Sequence, residues 1–72
     1  MSCAIRETLL GNIWFEKNQA SDKFFATFFA EDHIIYACGE TLDCAVDNFN
    51  KKVELWYQFD AETVRYYQRK VV

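Results

Sequence analysis

A chain of 72 residues is enough for one domain, and its formal charge of −3 disfavours a surface built to hold phosphates. A domain of this size buries only roughly 60% of its unfolded surface, so its core must be dense; the aromatic share of 18%, with seven Phe, supplies large rings for that purpose. Three cysteines at irregular spacing, no signal-peptide pattern and no apolar run near about 18 residues argue against a disulfide framework and a membrane span. Cys3, Cys38 and Cys44 are then expected to stay reduced in a cytoplasm.

Residues 3–17 alternate in part. Cys3, Ile5, Leu9, Ile13 and Phe15 share one parity, and Arg6, Thr8, Asn12 and Glu16 share the other. A strand over residues 9–17 is expected, with Gly11 a candidate bulge. A short helix over residues 3–10 is the competing reading. Residues 18–22 form a polar loop of hairpin length. Residues 23–31 follow, dominated by Phe24, Phe25, Phe28 and Phe29. As a strand, this segment turns two rings to each face, so both faces need cover; as a helix, Phe25, Phe28 and Phe29 would form a stripe instead, but the flanking loops and the length favour a strand. Glu31-Asp32 marks a tight turn, and residues 33–38 read as the third strand of a meander.

The segment from Gly39 to Gln58 has a clear helical period and a start signal. Thr41 suits the N-cap, and Asp43 sits near the positive end of the dipole. Leu42, Ala45, Val46, Phe49, Val53, Trp56 and Tyr57 recur at three- and four-residue steps, opposite Asp43, Asp47, Asn50, Lys51, Glu54 and Gln58. After a short connection at residues 60–62, residues 63–72 read as a charged edge strand. The expected fold is α+β in the order β-β-β-α-β: an antiparallel sheet with one amphipathic helix packed on one face. Residues 1–72 are expected to form this single domain, with no Pro, repeat, low-complexity run or linker.

The string Gly39-Glu40-Thr41-Leu42-x-x-Ala45-x-x-Asn48, following an aromatic strand and a second strand, resembles HicB-like antitoxins. Proteins of that family carry a partial ribonuclease-H-like domain, so the resemblance implies the β-β-β-α-β order and binding rather than catalysis. Two features depart from the family. Glu31-Asp32-His33-Ile34 lacks the Pro- and Gly-containing loop usual before the second conserved strand, and no DNA-binding segment follows before Val72. The resemblance is therefore to a single-domain form, and it names no toxin partner.

A search for chemistry finds little that converges. His33 has no evident nucleophile beside it, and His33, Cys38 and Cys44 match no zinc-finger spacing. No catalytic residue, metal ligand or cofactor is expected. Charge is uneven instead: residues 31–62 hold eight of the eleven acids, whereas residues 63–72 hold Arg65, Arg69 and Lys70 and no acid. The leading expectation is a non-enzymatic protein-binding inhibitor, antitoxin-like or a phage-encoded anti-defence protein of the anti-CRISPR type. The latter rests on an analogy of size and charge. Its partner would be a nuclease or defence enzyme with a basic surface, met through Asp43, Asp47, Asn50 and Glu54 on the helix and Phe25 and Phe29 on the sheet. A homodimer is the other partner considered. The alternative is a single-stranded nucleic-acid-binding module that stacks bases on Tyr66 and Tyr67 and holds phosphates with Arg65 and Arg69.

Overall fold

The structure, a computed structural model, describes residues 3–70. Four strands come first: β1 (Cys3–Thr8), β2 (Gly11–Asn18), β3 (Lys23–Phe29) and β4 (Ile34–Gly39). Two helices follow, α1 (Leu42–Phe59) and α2 (Ala61–Lys70). The strands pair antiparallel in the order β1-β2-β3-β4, a plain meander. The order is thus β-β-β-β-α-α, which corrects the expected β-β-β-α-β and the fold implied by the HicB-like resemblance.

Two segments account for the difference. Residues 3–8 form a full strand rather than a short helix, and Gly11 opens β2 instead of bulging from it. The turn between them is Leu9-Leu10. Thr8 faces Gly11 in the ladder, and Gly11 takes a φ of 85°, a conformation that costs glycine little. The Thr8 hydroxyl accepts from Leu10 N–H and donates to the Gly11 carbonyl, which ties the turn to the end of β1.

The second segment is α2, where a strand was expected over residues 63–72; residues 71 and 72 of that strand lie outside the described residues. Asp60 caps the helix, its carboxylate accepting from Thr63 N–H at 3.3 Å and from the Thr63 hydroxyl at 2.7 Å. Glu62 in the first turn and Arg69 and Lys70 in the last match the helix dipole. These end effects, with Val64 buried beneath, outweigh the strand preference of Thr63, Val64, Tyr66 and Tyr67.

The helix α1 begins where expected. Thr41 is extended and its hydroxyl accepts from Cys44 N–H at 3.1 Å. Ala45, Phe49, Val53 and Trp56 form the buried stripe of α1. They cover Ile13 and Phe15 of β2, Ala26 of β3, and Ile35 and Ala37 of β4, with the Phe15 and Phe49 rings meeting edge to face at 5.9 Å. The four Phe of β3 divide by parity. Phe24 and Phe28 turn to the core and Phe25 and Phe29 away from it.

The turn residue Leu10 is fully buried and belongs to the core. Asn50 of α1 accepts from Leu9 N–H at 2.9 Å, and Gln68 of α2 donates to the Leu9 carbonyl at 2.9 Å. One hairpin turn is therefore held by both helices.

Candidate protein-binding surface

Helix α1 covers only one face of the sheet. Strand alternation turns Ile5 of β1, Trp14 of β2, Phe25 and Phe29 of β3, and Ile34 and Tyr36 of β4 to the other face. No element among the described residues covers that side. Phe29 is 72% exposed, Ile5 60%, Ile34 59% and Trp14 54%. The ladder brings Ile5 opposite Trp14 and Phe29 opposite Ile34, so the apolar residues adjoin across strands. Within the face, Phe25 and Tyr36 lie with ring centroids 6.3 Å apart. Glu7 and Glu16 share this face along the β1–β2 side, and Lys23 stands at one corner.

The two halves of the expected protein-binding set are therefore separated. Phe25 and Phe29 lie on the open face. Asp43, Asp47, Asn50 and Glu54 form a stripe along α1, in the other layer. Within that stripe Asp43 accepts from Arg6 at 3.5 Å, and Asn50 is engaged with Leu9. Asp47 and Glu54 are exposed. A single flat partner cannot touch both sets at once, because the thickness of the domain lies between them.

The residues of the nucleic-acid reading stand on a helix and diverge. Arg65 donates to the Tyr57 hydroxyl at 2.6 Å and lies 5.4 Å from the Tyr57 ring centroid. Tyr67 turns inward, 5.4 Å from Phe28 and 5.9 Å from Trp56, and its hydroxyl accepts from Glu31 N–H. Tyr66 and Tyr67 both line a cleft that also contains Glu31, Asp32, Asp60 and Glu62. A phosphate approaching that cleft meets acidic residues, with no Lys or Arg in its lining. Arg69 is exposed on the helix surface.

The sulfur and imidazole groups do not converge either. His33 stacks on Trp56 at 4.8 Å, the three thiols are free, and no group of three or more His, Cys, Asp or Glu among the described residues is placed to hold a metal ion. None of the helices among the described residues is long and apolar enough to cross a membrane.

The sequence pointed to Phe25 and Phe29 but not to Ile5, Trp14, Ile34 and Tyr36, which complete the face. The signal was present in the alternation of residues 3–8. It needed the first strand to be recognised before Ile5 and Trp14 could be paired. Compared with known proteins, the chain matches no family model, no curated protein and no solved structure.

Proposed function

We propose that the chain is a protein-binding module that docks a partner on the open face of its sheet and blocks the partner's surface by occupying it. One observation carries this reading: on the uncovered sheet face large apolar side chains stand in three adjacent pairs, Ile5 with Trp14, Phe25 with Tyr36 and Phe29 with Ile34, and all but the half-buried Phe25 are exposed, so a matching surface removes a solvation cost. The partner surface that fits is apolar at its centre. Opposite Glu7 and Glu16 it carries basic groups, which favour encounter and fix orientation. An inhibitor of a nuclease or defence enzyme, acting stoichiometrically, is the form of this activity that we favour.

Photo-crosslinking in cells tests the reading. A photoreactive residue at position 29 is expected to trap a partner protein, whereas one at position 47, on α1, is not. The trapped protein, purified and recombined, should lose binding to Phe29→Asp while the variant keeps the far-UV spectrum of the parent. The reading fails if position 29 traps no protein, traps only a second copy of the chain, or if Phe29→Asp binds the recombined partner as the parent does.

A further inference from the structure

At the end of the molecule where the β3–β4 turn meets the two helices lies a cleft of about 690 Å³. Its walls are rings and carboxylates. Trp56, Tyr66, Tyr67 and Phe59 line it with His33, and Glu31, Asp32, Asp60 and Glu62 stand around them. No Lys or Arg lines the cleft. Among the described residues, the two ion pairs are Arg6–Asp43 and Lys17–Asp22, so none of these four acids is in one. Asp60 is committed to capping α2, which leaves Glu31, Asp32 and Glu62 for a ligand.

The rings pack against one another. His33 stacks on Trp56, Trp56 lies 5.9 Å from Tyr67, and Tyr66 meets Tyr67 edge to face at 5.3 Å. Trp56 is only 6% exposed, and no buried polar side-chain atom among the described residues is left without a hydrogen-bond partner. Phe59, by contrast, is 89% exposed at the mouth. Lys70 places its ammonium 5.5 Å from the Tyr66 ring centroid, so an incoming cation at that ring competes with it.

We propose that the cleft binds an arginine side chain carried on a short peptide segment. A guanidinium is planar and stacks on aromatic faces while its N–H groups pair with carboxylates, which is the combination the walls offer. Its low hydration makes transfer to such a site easier than for an ammonium. The cleft is several times larger than one side chain, which leaves room for the residues on either side of the arginine. The site lies apart from the bare sheet face, so the two can fail independently.

Titration of the intact protein, followed by amide and indole NMR shifts, tests this. The probes are acetyl-Gly-Arg-Gly-amide, its citrulline counterpart (same shape, no charge) and arginine amide. The arginine peptide should shift the Trp56 indole and the amides of residues 31–33 and 60–67. The citrulline peptide should bind at least about ten-fold more weakly. Weaker binding by arginine amide than by the peptide identifies a protein side chain as the source; equal binding identifies a free guanidinium compound, which supports the site and overturns the peptide. The Asp32→Asn/Glu62→Gln double variant and Tyr66→Ala should each weaken the arginine peptide, Lys70→Ala should strengthen it, and Asp47→Asn should leave it unchanged. The proposal is overturned if the citrulline peptide binds as well as the arginine peptide, if the shifts fall elsewhere, or if the double variant binds as the parent does.

Discussion

A Cβ atom on Gly39 would stand 2.5 Å from the backbone nitrogen of Ala45 and 2.8 Å from Cys44. The last residue of β4 and the first turn of α1 thus touch backbone to backbone, which lets the helix double back over its own strand. The glycine is needed for space, not for an unusual φ. Gly39→Ala should lower stability by about 1–3 kcal/mol, the usual cost of forcing extra volume into a packed contact. Urea denaturation checks it; an unchanged midpoint would mean that the turn opens freely.

Both helix caps should be worth a similar amount. Thr41→Ala and Asp60→Ala each remove a side chain that accepts a free N–H, at a cost of about 1 kcal/mol apiece. The two should differ in their local effect. Hydrogen exchange in Asp60→Ala should speed up across α2 while the sheet stays protected, because α2 rests mainly on α1 and the Leu9–Leu10 turn.

Two phenylalanines on α1 make a direct contrast. Phe49 is fully enclosed against Phe15, and Phe49→Ala should cost about 3–5 kcal/mol, enough to unfold much of a domain this small. Phe59 is 89% exposed, and Phe59→Ala should change stability by less than about 0.5 kcal/mol. Thermal melts of the two variants decide the matter. A large loss for Phe59→Ala would mean that the residue is covered in solution.

The exposed Arg6–Asp43 pair, 3.5 Å apart, should contribute little. Neutralising it with Asp43→Asn is expected to shift stability by less than about 1 kcal/mol, with the difference vanishing in high salt.

The thiols should separate by access. Cys3 and Cys44 are exposed and Cys38 is partly covered, so titration with a chromogenic disulfide should show two fast thiols and one slow one. Chemical unfolding should merge the three.

The sequence revealed α1 because several independent signals coincide there: Thr41 as cap, Asp43 in the first turn, and a buried residue every third or fourth position. It revealed the division of the Phe24–Phe29 rings because strand parity admits no other arrangement. It concealed β1, because Leu9-Leu10 is an apolar turn without the Asn-Gly or Asp-Gly signature, and its Leu10 is a core residue. It concealed α2, because Val64, Tyr66 and Tyr67 suit a strand as well as a helix. There the deciding information lay in Asp60 and Glu62 ahead of the segment. The cleft between His33, Trp56 and Tyr66 joins a turn to two helices, and only the correct assignment of α2 brings those residues together.

The meander has a kinetic consequence. Every strand pairs only with its neighbours in the chain, so the ladders close small loops and little entropy is spent bringing distant segments together. Growth from hairpin to hairpin should be rapid. On a ribosome the whole sheet emerges before α1 does, with both of its faces bare for that interval, and the nascent chain is then at its most adhesive.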